Sequence, residues 1–343
     1  MRLVTSMLVM AMLFVAATQA NTYTSEGVVA DFFKATEYAS MFQQFITKFK
    51  RSYASSAFAA RLKTFKDNIN KLTQSNKDKK PYTLGVTQFA DLTPAEFSKQ
   101  VAGLQVPSSA SFVEADAETE VSEAQLADDT TTFRAGFNWL NYVQIRPPRD
   151  SKTCGSCWAF TAAATTEVAR TIAKQGNEYL STQQIIDCSI TGCRGCNGGW
   201  ADCAYRTMMD GMYDEKEAPY LNKGSVCAPQ KIPSLLGKLK RFETFDSTDK
   251  NLLAQIRKGP VWSAVSSSGL QLYKSGILTT MINCTGIVDY SIMLYGYHAD
   301  GYINYFRASA NFGPDWGEAG FFRIQNTNVC NLAKNKSYRP IVV

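Results

Sequence analysis

The chain has 343 residues, 45% hydrophobic and 19% charged, enough for a sizeable core, and a division into two folding units is expected. Its formal charge of +6 is modest, and no Arg/Lys cluster interleaved with aromatics stands out, which argues against nucleic-acid binding. After the first twenty residues nothing approaches about 18 uninterrupted apolar positions, so no membrane span is expected. Residues 1–20 begin Met1-Arg2, run apolar from Leu8 to Ala17 and end Thr18-Gln19-Ala20, the layout of a secretory signal peptide. The expected destination is the secretory pathway, ending outside the cell or in a lysosome or vacuole.

Residues 30–80 read as helical and partly amphipathic. Phe32, Phe33, Phe42, Phe45 and Phe49 come first; Arg61, Phe65, Asn68, Leu72 and Asn76 then follow at spacings that place them on one side of a long helix. Gly85-Val-Thr87-Gln-Phe89-Ala-Asp91 suggests a short strand and turn, and Thr93-Pro94-Ala-Glu96-Phe97 the start of a helix. Between Glu114 and Asp129 lie seven acidic residues and no basic one, so 105–132 is expected to be an accessible linker, with cleavage between about 125 and 133. A proline-marked turn at Pro147-Pro148 precedes a helix from Cys157 to about Gly176, and Leu180 to Cys188 reads as a cap and short helix. Gly195-Cys196-Asn197-Gly198-Gly199-Trp200 is a glycine-rich loop locked by cysteines. From Phe242 onward the pattern changes to strands and turns, with candidate strands at 262–266, 287–297, 302–308 and 320–324. Asn283-Cys-Thr285 and Asn335-Lys-Ser337 fit the glycosylation acceptor pattern.

All nine cysteines fall between 154 and 330, and an odd count leaves one thiol over if the rest pair within the chain. Cys154 and Cys157 alone could be disulfide partners or a redox pair, and the whole cluster could be a zinc site, although the chain has one histidine. No metal or cofactor is expected. Small and apolar residues directly after the Gly-Ser turn place Cys157 in the first turn of a buried helix, where orphan N–H groups and the helix dipole favour the thiolate.

Cys154-Gly-Ser-Cys157-Trp158-Ala-Phe160 resembles the nucleophile segment of papain-like cysteine proteases, and the resemblance runs from about residue 40 to 343. The two motifs before residue 100 resemble the inhibitory propeptide, with Ala57 where that pattern has glutamate and Leu72 where it has isoleucine; Phe137-Asn138-Trp139 resembles the opening of the mature module. The resemblance implies an α+β papain-like fold of two subdomains, a helical half and an antiparallel, barrel-like sheet half, preceded by a helical inhibitory propeptide. The expected boundaries are 1–20 signal peptide, 21–104 propeptide, 105–132 linker and 133–343 peptidase domain. It implies disulfides Cys154-Cys196, Cys188-Cys227 and Cys284-Cys330; Cys193 and Cys203 could form a fourth, leaving Cys157 free. It makes Gly198 and Gly199 the edge that bonds an extended peptide, and has Trp200, Ala201 and Asp289 line the cleft beside Phe312 and Trp316.

The same resemblance locates what is missing. Tyr290 stands where the catalytic histidine belongs, Ala310 where the orienting asparagine belongs, and Ser151 where the oxyanion glutamine belongs. Asn311 could supply the asparagine by a local shift of register. His298 lies eight residues after Tyr290, roughly 25 Å along an extended strand, and is read as a surface turn residue. Tyrosine, with an ordinary pKa of about 10, cannot place an imidazolium's positive charge beside a thiolate. The expected function is therefore a secreted homologue, catalytically impaired or inactive (a pseudoprotease), whose cleft binds a peptide, a protein or its own propeptide. The alternatives are an active endopeptidase working through Cys157 and a storage protein of the secretory route.

Overall fold

The structure, a computed structural model, describes residues 25–105, 129–189, 191–227, 235–284, 286–326 and 328–343. The expected signal peptide, most of the acidic linker and Thr285 lie outside them. The chain divides into two compact units, 1–66 and 67–343.

The first unit contains α1 (Ser25–Lys48) and the start of α2 (Ser55–Lys77). Its core is aromatic: Phe42 is fully buried and packs on Phe45, Tyr53, Phe58 and Phe65. The helical region expected over 30–80 consists of two helices, separated where residues 49–54 leave the helical path, and the Arg61–Asn76 set lies on the second.

The second unit begins within α2. Asn68 is buried there because its side-chain amide donates to the carbonyls of Ala90 and Leu92, each at 2.8 Å. These bonds hold the turn between β1 (Tyr82–Leu84) and α3 (Pro94–Val101). Thr93 and Glu96 close the N-terminus of α3 as a reciprocal capping box, with Pro94 in its first turn. On the far side of the undescribed residues the chain resumes as α4 (Asp129–Ala135), so the expected linker gives way to a helix before residue 132. Phe133 fastens α4 by packing on Tyr297 and Phe306, which are apolar residues an extended linker would have left uncovered.

The helical half comprises α5 (Cys157–Ile172), α6 (Thr182–Cys188) and α7 (Ala201–Met208). Of these, α5 is buried along most of its length, because its Ala and Thr side chains let neighbouring elements approach closely. The sheet half contains β2 (Phe137–Asn138), β3 (Leu239–Asp246), β4 (Val261–Val265), β5 (Tyr273–Leu278), β6 (Tyr290–Asp300), β7 (Ile303–Ser309), β8 (Phe321–Gln325) and β9 (Lys336–Val342). The strand order is β1-β5-β8-β7-β6-β4-β9-β3, with β2 paired to β6. This is the expected α+β, two-half architecture, with two additions. The β5–β8 pair is parallel, and the residues after Phe242 include the helix α8 (Asp249–Lys258), capped by Thr248.

Disulfides join Cys154 to Cys196, Cys188 to Cys227, Cys193 to Cys203 and Cys284 to Cys330. Among the described residues no helix is long and apolar enough to cross a membrane.

Asn68→Ala removes both buried amide bonds and is expected to cost about 1–3 kcal/mol in urea-induced unfolding of the full chain. A loss under a few tenths of a kcal/mol would contradict a fastening role for Asn68.

Candidate active site

Helix α5 opens at Cys157 without a side-chain cap from Ser156. The N–H groups of Cys157 and Trp158 therefore have no acceptor within the helix, while those of Ala159 and Phe160 reach the Ser156 carbonyl, and the positive end of the dipole sits at the sulfur. Cys157 is the free cysteine and is 1% exposed. Burial pushes its thiol up to about 12, against the opposing pull of the Ser291 backbone N–H and hydroxyl and the Trp158 N–H. The Ser291 hydroxyl also donates to Thr161 Oγ1 at 2.9 Å, so its single proton can serve either the thiol or Thr161 at one time.

What covers the sulfur is the chain itself. The N–H of Gly103 donates to the Asp289 carbonyl at 3.0 Å, and the Gly103 carbonyl accepts from the Gly199 N–H at 3.1 Å. Two residues on, the Gln105 N–H donates to the Gly199 carbonyl at 3.0 Å, and its side-chain amide to the Asn197 carbonyl at 2.9 Å. Leu104 thus pairs with Gly199 as a parallel bridge, and its side chain packs on the core cluster that includes Trp200 and Ala201. Only glycine fits at 103: a Cβ there would stand 2.8 Å from the Cys157 sulfur and 2.7 Å from the Gly155 carbonyl. A Cβ on Gly199 would stand 2.2 Å from Cys193 Sγ and 2.7 Å from the Trp158 ring.

Tyr290 opens β6 beside Cys157 and is fully buried. Its ring stacks on Phe312 at 4.7 Å between centroids, and its hydroxyl accepts the Asn311 N–H at 2.8 Å. Burial first, then the neighbouring Cys157, holds the phenol well above its ordinary pKa. Two groups that both stay protonated cannot form an ion pair. Ala310 is buried, with its N–H on the Gly320 carbonyl. Asn311 does not take over by a register shift: its side-chain amide reaches α5, donating to Thr161 Oγ1 at 2.9 Å and toward the Cys157 carbonyl at 3.5 Å. Ser151 spends its hydroxyl on the Asn311 carbonyl at 3.2 Å.

The other sequence-derived positions divide between cleft and core. Asp289 contributes its carbonyl to the cleft, while its carboxylate accepts from the Ser267 N–H and hydroxyl at 2.7 and 2.9 Å. Burial raises the Asp289 pKa, and those two donors oppose the shift. Gly198 takes φ +107° at the edge of the loop, where Gln105 lies against it. Trp200 is a core residue, not a cleft wall: its indole N–H donates to Tyr338 and its ring packs on Trp262, because a large ring gains more from full burial. Ala201, fully buried at the start of α7, belongs to the same core cluster. Phe312 packs against Phe89, Phe97 and Trp316, and its carbonyl accepts from Gln88. His298 is not a turn residue. It lies in β6 opposite Tyr305, with Nδ1 buried under Gly136 and lacking a hydrogen-bond partner. It occupies the other end of the strand from Tyr290.

Sequence reading missed Thr161 and Ser291. The first stands one helical turn after Cys157 and the second breaks an otherwise apolar run in β6, which are the signals that could have found them.

Comparison with known proteins gives the family. The pattern of the papain family cysteine proteases matches residues 134–340, and that of the cathepsin propeptide inhibitor domain (I29) matches 42–97. The chain belongs to the papain family of cysteine proteases and carries an I29 propeptide domain. It is 30% identical to cathepsin L 2 of Paramecium tetraurelia, over 89% of this chain and 93% of that protein. It is 31% identical to caricain of Carica papaya, over 81% of this chain and 80% of that one. In fold it resembles digestive procathepsin L 3 of Tenebrio molitor larval midgut, with TM-score 0.77, 24% identity and coverage of 89% of this chain and 99% of that one.

Gly103→Asn forces a side chain into the Gly155 carbonyl and should lift 102–105 off the sulfur. Re-solvating a thiol held near 12 toward the ordinary value of about 8.5 raises its thiolate fraction at pH 8 by roughly 10³-fold. Iodoacetamide labelling of Cys157, followed by mass spectrometry, is expected to accelerate at least about 100-fold. Unchanged labelling would show that Gly103 is not what protects the sulfur.

Proposed function

We propose that this papain-family chain is a secreted peptide- or protein-binding homologue whose peptidase chemistry is strongly impaired or absent. The observation that carries the reading is Tyr290, a buried phenol held by the Asn311 N–H and stacked on Phe312, standing beside Cys157 where the family resemblance calls for histidine. Amide hydrolysis needs a base that takes the thiol proton and an acid that returns one to the leaving amine. Tyr290 stays protonated and offers neither the base nor a stabilising positive charge. The chain's one histidine is at the opposite end of β6. Losing general acid–base catalysis costs about 10²- to 10⁴-fold, and losing an oxyanion donor, here Ser151 for glutamine, a further 10²- to 10³-fold.

The groove supports the binding part of the reading. Gly199, Asp289 and Asn197 offer backbone groups to an extended segment, and such recognition does not depend on an acid–base pair. In this account residues 1–20 direct secretion, 21–104 form the propeptide, 105–132 join it to the module at 133–343, and the chain works outside the cell or in a lysosome or vacuole. Asn283 and Asn335 are glycan acceptors in the same account.

A second reading has its own support. Family membership and the position of Cys157 at an uncapped helix N-terminus favour a working cysteine endopeptidase. The two separate in one experiment: turnover of a peptide-fluorophore panel from pH 4 to 8 by the linker-cleaved protein, beside Cys157→Ala and Tyr290→His/Ala310→Asn. Impairment predicts no Cys157-dependent turnover in the parent and a gain in the double variant. Cys157-dependent turnover in the parent, at rates typical of the family, would establish the second reading instead.

A further inference from the structure

The same geometry blocks the two halves of thiol acyl transfer unequally, and the inference here rests on the impaired-peptidase reading. An amide cannot expel its nitrogen without a proton, so its cleavage depends on the missing acid. A thioester expels a thiolate, a leaving group that departs unaided and faster as its pKa falls. Cys157 keeps what this easier step requires. It is the first residue of α5, so its own N–H lacks a helical acceptor and is free to face an oxyanion. The N–H groups of Trp158 and Ser291 and the Ser291 hydroxyl stabilise the thiolate. The bonds now made by Gly103 and Gln105 show that an extended backbone is carried across the sulfur, with the Asp289 carbonyl on one side and Gly199 on the other. All eight other cysteines are in disulfides.

We propose that Cys157, once uncovered, captures acyl groups from peptidyl thioesters and holds them as a lasting S-acyl adduct. The Cys157 Sγ–carbonyl bond forms as the carbonyl–sulfur bond of the donor breaks, and the thiol proton lost by Cys157 is taken up by the expelled thiolate or by solvent. No oxidant or cofactor enters. Hydrolysis of the adduct needs a base to activate water, and Tyr290 supplies none, so the adduct accumulates where an active protease would turn over.

The test uses the full chain carrying Gly103→Asn, with Gly103→Ala as a milder opening and the unsubstituted chain alongside, each checked for a cooperative thermal transition. The probes are benzyloxycarbonyl-Leu-Gly thiophenyl ester and the matching p-nitroanilide at pH 7.5. Intact-mass analysis is expected to show one saturable adduct per chain on Cys157, formed at least about 100-fold faster than on N-acetylcysteine, as binding beside the nucleophile should allow. It should persist for hours and be absent from a Gly103→Asn/Cys157→Ala chain. Adding Tyr290→His and Ala310→Asn should convert it to release of free acid. A folded opened chain that forms no adduct, or forms it no faster than N-acetylcysteine does, overturns the inference and leaves the impaired-peptidase reading intact. Cys157-dependent release of nitroaniline by the opened chain sinks both.

Discussion

Everything at the site depends on where α5 begins. A helix of Ala and Thr buried along most of its length cannot be moved without losing its packing, so its first residue is fixed, and that residue is Cys157. The helix brings a sulfur, the N–H groups of Cys157 and Trp158 and a positive dipole end to the line where the two halves of the second unit meet. The segment 102–105 then closes over the sulfur with three backbone bonds and the Gln105 side-chain amide on the Asn197 carbonyl. Because those bonds are made by the backbone of Gly199, Asp289 and Asn197 rather than by the Tyr290 side chain, they do not depend on which side chain stands at 290.

That independence separates the scaffold from the side chains at the centre. The disulfides, the Gly198-Gly199 edge, the Phe312–Trp316 pair and the α3 capping box serve packing and recognition. Tyr290, Asn311, Thr161, Ser291 and Ser151 form one connected polar network. Tyr290 receives the Asn311 N–H, Asn311 reaches Thr161, Thr161 receives Ser291, and Ser151 turns to the Asn311 carbonyl. Buried polar groups satisfied this way stabilise the site in its present form.

The fold was legible because it rests on features written locally. The Thr93-Pro94-Glu96 cap, the apolar run after Cys157 and the branched strands after 260 each carry their own physical signature. Where the signature was weak the reading failed: α8 was missed because Asp249–Lys258 sits among strand signals, and α4 because its anchor is one residue, Phe133, packing on strands distant in sequence. At the site, Tyr290, Ala310 and Ser151 could be singled out in the sequence, but their partners could not. That the Asn311 side chain turns toward α5, or that Trp200 lies in the core, depends on contacts made between residues 150 and 138 positions apart, which no local pattern encodes.

Among the described residues no positively charged partner stands beside the Cys157 thiol. Thiolate absorbance near 240 nm tests it most directly, measured in folded Gly103→Asn chain from pH 4 to 10 against Gly103→Asn/Cys157→Ala. A thiol without an imidazolium should show one transition above about pH 7 and no thiolate at pH 5. Thiolate persisting at pH 5 would contradict the account and require a cationic partner for Cys157.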